Sequence, residues 1–172
     1  AEERKQFESD DRVAAVKLLA RDGEEELRDL FLTSLGIRMK TPGQFALLTQ
    51  LAAEIGGLSA GVEAAKLGIR NDVLMLDAGW PRIGLPNDLN IEPALTYAIT
   101  RQESEFNPDA RSPANARGLM QLLPGTAKQV AKKIDLIYDS AMITDPATNL
   151  TLGSRYLGQI ISGFGGSYIL GI

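Results

Sequence analysis

The stretch Leu95-Thr96-Tyr97-Ala98-Ile99-Thr100-Arg101-Gln102-Glu103-Ser104-Glu105-Phe106-Asn107-Pro108 decides how this chain reads. Leu95, Ala98, Ile99, Gln102, Glu103 and Phe106 recur three and four residues apart, the spacing of one helix face. Upstream, Asn90 can cap that helix and Pro93 suits its first turn. Downstream, Asn107-Pro108 stops it, because the residue before proline is pushed out of the helical region. Glu103 thus falls on the apolar side and in the last turn, where the negative end of the helix dipole opposes a carboxylate charge. Burial and dipole both favour the protonated acid, the form a general acid must hold. Periodicity alone also fits a plainer role, a Glu at the edge of the stripe bonded to a neighbouring loop.

Working outward, Gly118-Leu119-Met120-Gln121-Leu122-Leu123 runs into Pro124 and predicts an extended segment. That geometry sets Leu119, Gln121 and Leu123 on one side, with Met120 and Leu122 on the other. Pro124 opens a helix to Lys133, and Asp145-Pro146 opens another to about Ile161. On the other side, two prolines and two glycines between Ala78 and Asn87 make a loop. The division expected is 1–78, an interdomain loop at 79–90, and 91–172. Trp80 in that loop fits packing at a domain seam, with sugar stacking as the alternative.

The first 78 residues read as successive amphipathic helices. Val13, Val16, Leu18 and Leu19 form one stripe, and Leu27, Leu30, Phe31 and Leu35 the next. Gly23 interrupts them, and Gly36 lies where a helix-ending glycine belongs. Thr41-Pro42 starts a third helix carrying Phe45, Leu47, Leu48, Leu51 and Ile55, closed by Gly56-Gly57; Ser59 can cap a fourth. Helical hairpins stacked one on another are the architecture this predicts.

Composition narrows the chemistry. The 172 residues include neither Cys nor His, so a Ser-His-Asp triad, a thiolate nucleophile and the usual zinc site are all excluded. Acid–base work falls to carboxylates, Lys or Tyr. A formal charge of −4 argues against a nucleic-acid partner. Unbroken apolar runs stay well short of the ~20 residues of a membrane span, so no transmembrane segment is expected. Ala1 to Asp11 are polar and charged, unlike a secretory leader; a mature exported protein is compatible with this. No acidic loop of the calcium-binding kind occurs, and neither metal nor cofactor is expected.

Two motifs then carry a resemblance. Arg101-Gln102-Glu103-Ser104-x-Phe106-Asn107-Pro108, with Ser112-Pro113 after it, and Gly118-Leu119-Met120-Gln121-x-x-Pro124-x-Thr126-Ala127 closely resemble the catalytic domain of soluble lytic transglycosylases. The likeness extends to Asp145-Pro146-x-x-Asn149-Leu150 and Gly153-x-x-Tyr156-Leu157, and covers about Asn90 to Ile172. The helical first half is similar to the superhelical domain that precedes this module in larger family members. The resemblance implies a mainly α chain: stacked hairpins, then a lysozyme-like domain with minor β structure, acting on peptidoglycan strands in the periplasm.

Position by position, the resemblance makes Glu103 the family's single acid/base and Ser112 a hydroxyl contacting substrate. Gly118 becomes the close-approach glycine, Gln121 the amide holding the glycan, Met120 a residue of groove or core, and Tyr156 a phenol in the cleft. Turn residues at Ser112 and Gly118 and a packed tyrosine at Tyr156 are the structural alternatives. Most glycosidases need a second carboxylate about 5–9.5 Å from the first. Glu105 faces away from Glu103 on a helix, and Asp109 lies past the helix stop, so no partner is evident. A one-carboxylate mechanism fits: the β-1,4 bond between N-acetylmuramic acid and N-acetylglucosamine breaks without water and leaves a 1,6-anhydro end. The alternatives are a non-catalytic glycan-binding or cell-wall scaffold module, and a hydrolytic muramidase using Asp145 or Asp109. Two departures stand out. Asn115 replaces the family's usual glycine, and the chain ends at Ile172 where the family continues into an Ala-Tyr-Asn-Ala-Gly-Pro-Gly segment. Residues 1–172 alone are therefore expected to cleave poorly.

Overall fold

The computed structural model describes residues 2–172, which are mainly helical, with two isolated antiparallel β-bridges among them. The chain forms two compact units, residues 1–82 and 83–172.

The first unit contains α1 (Glu2–Glu8), α2 (Asp11–Arg21), α3 (Glu25–Arg38), α4 (Pro42–Ile69) and the single turn α5 (Leu76–Gly79). Asp10 starts α2 by accepting the Arg12 backbone N–H, and Thr41 and Gln44 cap α4 reciprocally, with Pro42 in its first turn. Phe45, Leu48 and Ala52 on α4 meet Val13 and Val16 of α2 and Leu35 of α3 in a core with almost no exposure. α4 breaks at Gly57, whose backbone (φ 73°, ψ −164°) is open only to glycine, so 42–56 and 58–69 are the two helices the Gly56-Gly57 pair predicts. By length and composition alone α4 could cross a membrane, although no unbroken apolar run suggests it. Its buried Phe45, Leu48, Leu51 and Ala52 instead make the core of this unit.

Two expectations change here. Gly36 does not end α3; it lies inside the helix, where a Cβ would stand 2.4 Å from Leu67 Cδ1, so it permits close helix packing. Leu18, Leu27 and Leu30 are exposed and Leu32 is buried, because α2 and α3 turn the faces of Val13–Val16 and Leu32–Leu35 inward. Trp80 is 44% exposed.

The second unit is built on α6 (Pro93–Ser104), α7 (Pro124–Lys133), a 3-10 turn at Ser140–Thr144, α8 (Pro146–Gly163) and the short α9 (Tyr168–Gly171). Asp145 caps α8 by accepting the Thr148 N–H at 2.8 Å, with Pro146 in the first turn. Leu122, Ala127, Val130, Ile143 and Leu152 close one core between α7 and α8. Leu119, Met120, Leu150, Leu157 and Ile161 close a second, against which Leu95 and Ile99 pack. Asn90 does not cap α6, since Glu92 holds that position; Asn90 instead fills the space that Gly158 leaves on α8.

Candidate active site

α6 ends differently from its proline-based expectation. Glu105 (φ 52°) and Phe106 (φ 65°) are both left-handed, and they stop the helix at Ser104, ahead of Asn107-Pro108. Two adjacent non-glycine residues in this region are costly, and surrounding structure must hold them. Phe106 is buried with its ring 6.4 Å from that of Tyr97, and the Asn107 N–H donates to the Ser104 carbonyl at 2.9 Å.

The buried stripe of α6 is Thr96, Thr100 and Ser104, one residue round from the apolar face that spacing predicts. This rotation corrects the placement of Glu103, which is exposed rather than buried. Two of these three hydroxyls bond back into the fold: Thr96 Oγ1 donates to the Glu92 carbonyl, and Ser104 Oγ donates to the Leu119 carbonyl at 2.8 Å, with the Thr100 carbonyl at 3.1 Å sharing the same proton. Glu103 faces the opening.

That opening is a cavity of about 260 Å³. Ile99 and Glu103 of α6 form one side, Met120, Gln121 and Leu122 another, and Gly153, Tyr156, Leu157 and Ile160 of α8 the floor, with Gly171 and Ile172 beside them. Four residues singled out from sequence, Glu103, Met120, Gln121 and Tyr156, meet here. Glu103 is the one acidic side chain among the lining residues. Asp145, a candidate second carboxylate, is spent on the α8 cap, and its hydrogen bond to Thr148 holds its pKa below the usual carboxylate range. Asp109 is exposed and does not line the cavity.

Residues 118–123 are not extended. Arg117 and Leu122 exchange both backbone hydrogen bonds, at 2.9 and 3.0 Å, around a tight turn in which Gly118 (φ 76°) and Gln121 (φ 46°) are left-handed. Leu119, Met120 and Leu122 are therefore all buried and Leu123 is exposed, which strand alternation does not allow. At Gly118 a Cβ would fall 2.4 Å from Asn149 Nδ2 and 2.8 Å from the Ile143 carbonyl, so glycine is required by conformation and by space. The Gln121 side-chain amide donates to the carbonyls of Ala110 and Gly118, both at 3.0 Å, which orients it at the cavity wall.

Ser112 and Gly118 lie outside the cavity lining. Ser112 Oγ accepts the Ala116 N–H at 3.0 Å within its own turn. Asn115, the departure from glycine, is left-handed (φ 66°), a conformation asparagine tolerates; its Oδ1 accepts the Arg117 Nε–H at 3.0 Å. Sequence reasoning missed Asn149 as part of the site. This fully buried side chain accepts the Met120 N–H at 2.7 Å and donates to the carbonyls of Arg117 and Ile143 at 3.0 and 2.7 Å. A polar residue on the inward side of an amphipathic helix, as in Asp145-Pro146-x-x-Asn149-Leu150, was the available signal.

The family model for the transglycosylase SLT domain matches residues 86–172, just over half of the chain. The chain belongs to this family. The SLT domain here is similar to the soluble lytic murein transglycosylase of Escherichia coli strain K12, 41% identical over 81 residues, which are 46% of this chain and 13% of that protein. Among solved structures, the 70 kDa soluble lytic transglycosylase of Escherichia coli shares 26% identity at a TM-score of 0.71, covering 96% of this chain and 28% of that one. An inactive mutant of a lytic transglycosylase from Pseudomonas aeruginosa superposes with a TM-score of 0.77 at 24% identity, covering 97% and 28%. The chain thus spans little more than a quarter of the solved proteins it matches, and its helical, lysozyme-like fold is theirs.

Proposed function

We propose that the SLT domain of this chain cleaves peptidoglycan as a lytic transglycosylase, with Glu103 as its only acid/base, in the periplasm. The observation that carries this reading is a cavity with one acidic side chain, facing a tethered glutamine amide (Gln121), a methionine (Met120) and a tyrosine (Tyr156). Glu103 protonates the O4 leaving oxygen of N-acetylglucosamine as its bond to muramic acid C1 breaks. The carboxylate then takes the proton of the C6 hydroxyl, whose oxygen closes on C1 to give the 1,6-anhydro ring. Atoms balance without water, which suits a site lacking a second carboxylate to activate one. Glu103 is exposed in the free protein, so it is the bound sugar that would shield it from water. Met120 packs the floor through Gly153, and Gln121 and Tyr156 bond the glycan; Ser112 and Gly118 support the loop beside it.

The family name of the Escherichia coli relative supports murein as the substrate. Digestion of purified sacculi followed by mass spectrometry tests it. Anhydro-muropeptides are expected from the wild-type chain at the low rate expected of residues 1–172 alone, and a Glu103→Gln variant should lose at least about 100-fold of that rate, the usual worth of a general acid, while still pelleting with sacculi. Reducing ends, one water heavier, would sink the one-carboxylate mechanism.

A further inference from the structure

Ser104 and Asn149, to which the lytic transglycosylase reading gives no role, act on the cavity that reading rests on. Ser104 Oγ bonds the carbonyl of Leu119 at 2.8 Å, and Asn149 Oδ1 accepts the N–H of Met120 at 2.7 Å. These two atoms belong to one peptide unit. It is gripped on its oxygen from α6, by the residue next to Glu103, and on its nitrogen from the first turn of α8. All three parts are buried: Ser104 is 9% exposed, Asn149 0% and Leu119 3%. Met120 hangs directly from this peptide and Gln121 follows one residue later, so its position helps set where the glycan-holding wall stands relative to Glu103.

We propose that Ser104 and Asn149 are positioning residues which fix the Leu119–Met120 peptide, and through it the spacing between Glu103 and the wall of Met120 and Gln121. Buried and fully bonded at both ends, the peptide has no alternative partner in water, and its rotation would strand two polar groups. Asn149 is itself immobilised, since its Nδ2 is held by two carbonyls. Ser104 ties the same peptide to the helix that carries the acid, so the two sides of the cavity cannot drift independently.

The test compares wild type, Ser104→Ala and Ser104→Thr in steady-state release of anhydro products from purified glycan strands, at a temperature where circular dichroism shows each fully folded. Ser104→Ala is expected to lower kcat by about tenfold or more with a smaller change in KM, the mark of a bound but misplaced sugar, and Ser104→Thr to restore most of it. Unchanged kcat and KM in Ser104→Ala, or no recovery in Ser104→Thr, overturns the proposal. If the wild-type chain releases no product, that failure falls on the functional reading. The clamp is then judged by amide hydrogen exchange in the wild-type chain: a slowly exchanging Met120 N–H supports it, and exchange as fast as at the exposed Ile137 overturns it.

Discussion

At the scale of single residues, the site depends on backbone conformations that few side chains accept. Gly118 meets two demands at once, a positive φ and the absence of a Cβ against Asn149 and Ile143. Gly118→Ala should therefore destabilise by more than the ~1 kcal/mol that a strain-free Gly→Ala change can gain, read as a lower urea midpoint with unchanged slope. Asn115 shows the opposite case. Its left-handed conformation suits asparagine, and Asn115→Gly keeps that conformation but removes the acceptor of the Arg117 Nε–H, so a loss of about 0.5–1.5 kcal/mol in denaturant unfolding is expected. Glu103 illustrates a different limit on reading residues. Its place three before Phe106 was plain, yet whether it faced core or cavity turned on a rotation of one residue about the helix axis.

At the scale of elements, caps and a kink determine where the helices lie. Asp145 orients α8, which supplies both Asn149 and the cavity floor. Asp145→Ala should cost about 1 kcal/mol by loss of the cap. Its carboxylate is held below its ordinary pKa chiefly by the side-chain hydrogen bond to Thr148. The sign follows: its contribution is full above the ordinary carboxylate range and is lost as pH falls through the lowered folded value. Asp145→Asn keeps a capping oxygen without the charge, so it should flatten the acid limb of a plot of Tm against pH. In α4, Gly57 has no atom within 4 Å of an added Cβ, so Gly57→Ala isolates backbone strain alone. A loss of about 1–3 kcal/mol in denaturant unfolding is expected.

At the scale of the whole molecule, each unit owns its core: Phe45, Leu48 and their neighbours in 1–82, and the two clusters around Leu122 and Leu150 in 83–172. Residues 83–172 expressed alone should accordingly keep a helical circular dichroism spectrum and a cooperative thermal transition. A non-cooperative melt would show that this core needs the other unit.

Helix type and many helix starts were legible in the sequence, because they depend on local chemistry: Thr41-Pro42, Pro124 and Asp145-Pro146 each open a helix where their caps and fixed φ require. Glu103 and the 118–121 segment were likewise visible as candidates, through residue types and their order. What only tertiary structure decided was orientation and curvature. The segment 118–123 became a turn because Asn149, some thirty residues away, bonds its backbone and leaves no space for a Cβ at Gly118. Glu103 faced the cavity because the smaller Thr96, Thr100 and Ser104 took the buried side of α6, where Thr96 and Ser104 bond their hydroxyls to backbone carbonyls. Periodicity records which residues share a face; which face is buried depends on partners that are distant in the chain.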